Sequence, residues 1–193
     1  MSLKSKGLPE MIIGYDYVIS ASQVFLGFVK QFGFEDLVSL DNACVERGPS
    51  SDSFDPCHPF WSSRADMTEH LASWDIWPRY EFAVELCYAT NGERDWRRGL
   101  CEPQTVEGGR DVELLGYDVA DEALFSALLN MGSIETNLRK HIGGLTRCLL
   151  FEALDTAVSF AEESAMSAKE HAPFYVFGLW NCQRDTDRDS CAG

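Results

Sequence analysis

Apolar positions recur along the chain with two periods. Tyr80, Phe82, Val84, Leu86 and Tyr88 share one parity, while Glu81 and Glu85 fall on the other. A period of two marks a half-buried strand, so residues 80–90 are predicted as one. The run Met11-Ile12-Ile13-Gly14-Tyr15-Asp16-Tyr17-Val18 is β-branched and aromatic, which predicts a strand with a bend or bulge near Gly14. Val112-Glu113-Leu114-Leu115-Gly116-Tyr117 predicts a third strand. Phe174-Tyr175-Val176-Phe177-Gly178-Leu179-Trp180, entered through Pro173, is apolar enough to be central. Leu37-Val38-Ser39-Leu40 predicts a short strand.

Elsewhere the period lengthens to that of a helix. Val24, Phe25, Phe28, Val29 and Phe32 predict a helix over 21–32, with Ser20 or Ser22 as its cap and Gly33 as its stop. Met67 to Ala72 predicts a short one. Leu124, Phe125, Leu128 and Leu129 predict another, capped by Asp118 or Asp121 and ending near Gly132. Ser133 and Thr136 open a further helix through His141. Over 151–169, Phe151, Leu154, Ala157, Val158 and Ala161 form an apolar stripe, with Glu152, Asp155, Glu162 and Glu163 outside it. The fold class expected is therefore α+β, a mainly antiparallel or mixed sheet packed against three to four helices. Residues 10–183 are read as a single domain, with 1–9 a flexible lead-in and 184–193 a polar tail. Residues 46–64 read as an irregular stretch rich in turn residues. Asn91-Gly92 predicts a tight turn, with a hairpin partner near 96–106 that Pro103 weakens.

One motif occurs twice. Ile12-Ile13-Gly14-Tyr15-Asp16 and Leu114-Leu115-Gly116-Tyr117-Asp118 match in pattern, and each reads as a strand leading into a helix. The plainer reading is one turn solution used twice: glycine permits the bend, tyrosine packs and aspartate caps the helix. The functional alternative is a shared ligand site built from Asp16, Asp118 and Asp121. Five residues are too few to establish a duplication.

Composition narrows the function classes. The 193 residues are 45% hydrophobic, enough for a core without disulfides or metals. Apolar runs such as Val24 to Val29 and Leu145 to Leu154 fall short of a membrane span. The net charge of −15 repels nucleic acid and anionic membranes and favours a basic partner. Seven cysteines, with no Cys-x-x-Cys pair, point to a reducing, cytoplasmic setting in which thiols pack as small apolar groups.

Candidate chemistry is thin. Cys44, Cys57, His58 and His70 fit no standard zinc spacing. Asp66-Met67-Thr68-Glu69-His70 lacks the second histidine of a metalloprotease helix. No nucleophile elbow, P-loop or dinucleotide fingerprint occurs. With 31 acidic residues, close carboxylate pairs arise by number alone. Arg94-Asp95-Trp96-Arg97-Arg98 is the local basic cluster, read as a loop pairing with surplus carboxylates. No catalytic residue, metal or cofactor is expected, and an enzyme is the less favoured class.

Phe60, Trp61, Trp74 and Trp77 are aromatic candidates for partner contact. Glu152, Asp155, Glu162 and Glu163 are the acidic ones. In gross character (small, acidic, lacking a catalytic signature) the chain is similar to bacterial immunity proteins. That similarity implies neutralisation of a basic toxin by direct binding, with carboxylates standing where a nuclease toxin meets phosphates. The runner-up is a small-molecule-binding protein or hydrolase using the two Gly-Tyr-Asp turns. A homodimer without chemistry of its own is the third reading.

Overall fold

The structure is a computed structural model that describes residues 12–34, 36–48, 60–93, 113–130 and 133–182. The predicted lead-in, the polar tail, the hairpin partner near 96–106 and the basic cluster at 94–98 lie outside these residues. Among the described residues the order is β1 (Ile12–Val18), β2 (Ser20–Ala21), α1 (Gln23–Val29), β3 (Val45–Glu46), α2 (Arg64–Ser73), β4 (Tyr80–Ala89), β5 (Glu113–Asp121), α3 (Ala127–Asn130), α4 (Ile134–His141), α5 (Leu154–Ser167) and β6 (Phe174–Asn181). The class is α+β. Strands β1, β4, β6 and β5 form one antiparallel sheet in that order, and β2 pairs with β3 in a small separate ladder.

The sheet has an approximate two-fold axis, which passes through the pair Val84 and Leu179 on its central strands. The axis exchanges β1 with β5 and β4 with β6. Asp16 stands opposite Phe82 as Asp118 stands opposite Phe177. Phe82 stands opposite Asn181 as Phe177 stands opposite Leu86. Both edge strands slip register at the same place in the motif, between Ile12 and Gly14 and between Leu114 and Gly116. Beyond each slip the outer edge is closed in the same way. Tyr15 and Trp61 exchange two backbone hydrogen bonds of 2.9 Å, and Tyr117 and Phe151 do likewise. Covering an edge in this manner removes a template for aggregation. Three residues after each bridge a helix begins, α2 after Trp61 and α5 after Phe151. The repeat extends to ring contacts: Trp61 lies 4.8 Å from His70, and Phe151 lies 5.1 Å from Phe160.

The repeated motif is thus half of a duplicated architecture and not a reused turn. Both strands run on past their aspartates, so neither Asp16 nor Asp118 caps a helix. Asp121 ends β5, where its Oδ1 accepts the Ala123 and Phe125 amides, at 2.9 and 3.0 Å. That local turn delays the helix, which shrinks to α3. Two further expectations change. Residues 37–40 are extended and buried but join no ladder, because side chains and a loop take their backbone groups. The Leu40 amide donates to Asp118, the Val38 amide donates to the Cys148 carbonyl, and Arg47 donates to the Ser39 and Leu40 carbonyls. On β4 the register slips between Leu86 and Tyr88, so Tyr88 leaves the parity it shares in sequence with Leu86.

Helices α2 and α5 cover the same face of the sheet. Met67 and Leu71 of α2 pack with Tyr15, Tyr17, Ala83 and Trp180. From β4, past the bulge, Tyr88 donates its hydroxyl hydrogen to Glu162 of α5 at 2.9 Å. Ser63 caps α2 by accepting the Asp66 amide at 3.1 Å, which starts that helix three residues ahead of the predicted Met67. The opposite face carries Phe82, Val84, Leu86, Phe177 and Leu179, which belong to the main core with Leu37, Leu40, Val29 and Leu138.

Candidate functional site on the helix-bearing face

On the face shared by α2 and α5, ladder pairing lines up two rows of side chains across the four strands. One row is Ile12, Glu85, Gly178 and Tyr117, read from β1 to β5. The other is Leu114, Trp180, Ala83 and Tyr15, read from β5 to β1. The two-fold axis maps one row onto the other. Ile12 matches Leu114, Gly178 matches Ala83 and Tyr117 matches Tyr15. Glu85 matches Trp180.

These two unlike mates touch: the Trp180 indole N–H donates to Glu85 Oε2 at 2.8 Å. Gly178 lies directly beneath. A Cβ there would sit 3.2 Å from Cys87 Sγ, 3.2 Å from Glu85 Oε2 and 3.2 Å from Trp180 Nε1. The missing side chain is therefore what lets a carboxylate, a thiol and an indole converge on one spot. Glu85, Cys87 and Tyr117 are half-buried in this seam. Burial pushes the Tyr117 phenol up from its ordinary range, and the nearby Cys87, Glu85 and Asp155 push it the same way.

The aromatic candidates separate into two pairs. Phe60 is buried against Gly14, and Trp61 is half-buried in its bridge to Tyr15. Trp74 and Trp77, just beyond α2, are 57% and 74% exposed, and Asp66 and Glu69 of α2 and the following Asp75 are exposed as well. The acidic candidates Glu152, Asp155, Glu162 and Glu163 are all exposed on or beside α5, with Glu163 paired to Lys140. The tryptophans thus follow α2 and the acids lie on or beside α5, the two helices that cover the same face of the sheet.

Asp16, Asp118 and Asp121 do not form an open site. All three are buried, at 4–5% exposure. Asp16 pairs with Arg47 at 2.9 Å. Burial raises its carboxyl, while Arg47 and the Tyr17 amide oppose the rise. Arg47 also donates to the Ser39 carbonyl, and Ser39 donates its hydroxyl hydrogen to Asp118 at 2.9 Å. Segment 36–48 therefore ties the two equivalent aspartates together from the face opposite α2 and α5. Asp121 lies 3.3 Å from His171 Nδ1. Of the zinc candidates, Cys44 is in the core and His70 is buried beside Trp61, while Cys57 and His58 lie outside the described residues. Among the described residues no group of three or more His, Cys, Asp or Glu is placed to hold a metal.

Asp118 gives a pH prediction. Burial lifts its carboxyl to about 6 from 3.8, against the hydrogen bonds from Leu40 and Ser39 that favour the anion. The folded state therefore binds the proton more tightly than the unfolded chain. Stability contributed by this group is full below about pH 4 and is lost as pH rises through 6. Asp118→Asn keeps an oxygen for Ser39 and Leu40 and removes the charge. It is expected to flatten that slope and to stabilise the fold by about 2 kcal/mol at pH 7.5. Urea denaturation of both proteins from pH 4.5 to 7.5 checks it, and parallel curves would refute it.

The seam residues Glu85, Cys87, Tyr117 and Trp180 were not among the sequence candidates. Glu85 has the alternation of a solvent-facing strand residue, and only the strand order places it at the centre of the sheet. No family model, curated protein or solved structure matches this chain. Among the described residues no helix is long and apolar enough to cross a membrane.

Proposed function

We propose that this chain is a binding protein that docks a basic protein partner on its helix-bearing face, in the manner of an immunity protein neutralising a basic toxin. The observation that carries the reading is that two exposed tryptophans follow α2 while exposed acids lie on α2 and α5, the two helices that cover one side of the sheet. Exposed tryptophan supplies the anchoring contact area found at interface hot spots. The surplus of carboxylates supplies long-range attraction and excludes acidic competitors. The net charge of −15 sets the sign of the partner.

Affinity capture with the tagged chain, at low and at high salt, with mass-spectrometric identification, tests it. A partner of basic net charge is expected at about 50 mM salt and is expected to weaken sharply toward about 500 mM. Trp74→Ala with Trp77→Ala is expected to lower its affinity at least about tenfold, because two anchors are truncated. Both side chains are exposed, so the fold is expected to be unchanged by circular dichroism. A basic partner captured equally by wild type and double variant refutes this surface. Capture without any basic, salt-sensitive partner refutes the reading.

A further inference from the structure

Two groups of exposed apolar side chains differ in the charge that accompanies them. Trp74 and Trp77 come from a segment that also exposes Asp66, Glu69 and Asp75. Val24, Phe28 and Phe32 form the second group. They fall four residues apart along α1 and the single helical turn Lys30–Phe32 that continues it. Val24 is 82% exposed, and the half-buried Phe28 and Phe32 have ring centroids 5.3 Å apart. Helix α4 borders this strip. The Arg139 guanidinium lies 5.5 Å from the centre of the Phe32 ring, and Ile142, three residues further on, is exposed.

Tyr17 to Phe34 and Thr136 to Phe151 are the two longest stretches of the chain without Asp or Glu. Arg139 over Phe32 joins them in space. Between them they hold four bases, Lys30, Arg139, Lys140 and Arg147. Two copies of a chain of net charge −15 repel at long range. An interface between copies that brought the Trp74 segment together would add its carboxylates to that repulsion, whereas the α1 strip adds none. The border of the strip is also self-complementary in charge. Glu135 and Arg139 stand one turn apart on α4, both exposed, and pair at 2.8 Å within the chain. A two-fold contact sets the same patch against itself, so Glu135 of each copy can face Arg139 of the other.

We propose that a second copy of this chain docks on the α1 strip, apolar side chains against apolar side chains about a two-fold axis, with Glu135 and Arg139 pairing across it at the rim. A strip of a few side chains falls short of the roughly 20–30 residues a side of a standard interface, so the dimer is weak and forms at high protein concentration. None of these residues takes part in docking a basic partner through Trp74 and Trp77. Failure of the dimer would leave that reading intact, and the reverse also holds.

Analytical ultracentrifugation of the full chain over a range of concentrations tests it. A reversible monomer–dimer equilibrium is expected, with a dissociation constant on the order of 100 µM. Raising salt from about 50 to about 300 mM is expected to tighten it at least about twofold by screening the repulsion between copies, the opposite sign to the response of a basic partner. Val24→Glu puts a carboxylate on the strip and is expected to weaken the dimer at least about tenfold. It lies in the first turn of α1, where negative charge suits the helix dipole, so the fold is expected to hold. Trp74→Ala with Trp77→Ala leaves the dimer unchanged. Glu135→Arg and Arg139→Glu each set like charges across the axis and are expected to weaken it at least about threefold. An equimolar mixture of these two variants restores opposite charges and is expected to associate as tightly as wild type. Thermal melts establish that each variant is folded, and the charge exchange decides should Val24→Glu unfold. A monomer at every concentration up to about 1 mM and at both salts refutes the dimer. A dimer that Val24→Glu leaves unaltered, or that salt dissociates, refutes the strip. A mixture no tighter than its two components refutes the two-fold arrangement.

Discussion

Gly116→Ala is expected to remove about 3–5 kcal/mol of folding stability, a large share of what a domain of this size possesses. Gly116 has φ 142°, in a region that residues with a side chain rarely adopt. A Cβ would stand 2.6 Å from Leu150 Cβ, 2.9 Å from the Phe151 carbonyl oxygen and 3.2 Å from Thr146 Cγ2. Two of these atoms belong to the segment that closes the β5 edge through the Tyr117–Phe151 bridge. Relief would require that bridge to open or the bulge to move. Gly14→Ala meets the same obstacle in the other half, with φ 156°, Phe60 Cβ at 2.5 Å and the Trp61 carbonyl at 3.0 Å. Gly27→Ala is the control: it lies in α1 with nothing within 4 Å, and helix propensity alone is expected to stabilise it by about 0.5–1 kcal/mol. Chemical denaturation of the three variants gives the comparison. Losses below about 1 kcal/mol at both bulges would refute the close approach described here.

That pair of glycines also marks where the chain can be read and where it cannot. The four long strands, α4 with its Ser133 cap and the amphipathic α5 follow from periodicity, because each buries one face against a large core. The five-residue echo is visible too, but its extent is hidden. The partners that complete each half, Phe60-Trp61 against Leu150-Phe151 and Glu85 against Trp180, share no residue identity. They are matched by register, which a linear chain does not display. The aspartates of the echo look like helix caps because aspartate is a favoured N-cap residue. Here the bulge at Gly14 or Gly116 turns the following aspartate toward a buried segment that supplies its hydrogen bonds. Residues 37–40 look like a strand for the converse reason: they are apolar, but their amides and carbonyls are spent on Asp118, Cys148 and Arg47.

The candidate site was hidden by the same cause. An alternating strand with glutamate on its polar parity describes an edge or a solvated face equally well. Strand order decides the matter: β4 lies between β1 and β6, and both α2 and α5 cover the Glu85 side. The four aromatics fit an exposed surface or a core equally well in sequence, and the structure divides them. Trp74 and Trp77 lie beyond the last residue of α2, and they remain outside. Phe60 and Trp61 lie ten or more residues earlier, yet they belong to the edge closure. The aromatic cluster is thus one region in sequence and two in space.

Arg47→Met is expected to destabilise the fold by about 3–4 kcal/mol at pH 7.5, the second largest effect. Arg47 is the cation opposite the buried Asp16 and the donor to three carbonyls, those of Tyr17, Leu40 and Ser39. Truncation leaves a buried carboxylate without its counter-charge and strips donors from buried backbone. Asp16→Asn is expected to be milder, about 1 kcal/mol, because Arg47 keeps its carbonyl acceptors and the Tyr17 amide keeps an oxygen. The double variant is expected to be less destabilised than the sum of the singles, since removing the carboxylate charge relieves the Arg47→Met penalty. pH gives an independent readout. Burial already raises Asp16 and Arg47 opposes that rise, so loss of the guanidinium raises it further. A raised folded-state value means protonation favours the fold, so the Arg47→Met deficit is expected to shrink as pH falls from 7.5 toward 5. Urea denaturation of the four proteins at both pH values tests both claims. Equal losses for the two single variants, an additive double, and a deficit that does not change with pH would together show that the Asp16–Arg47 contact contributes no specific stabilisation.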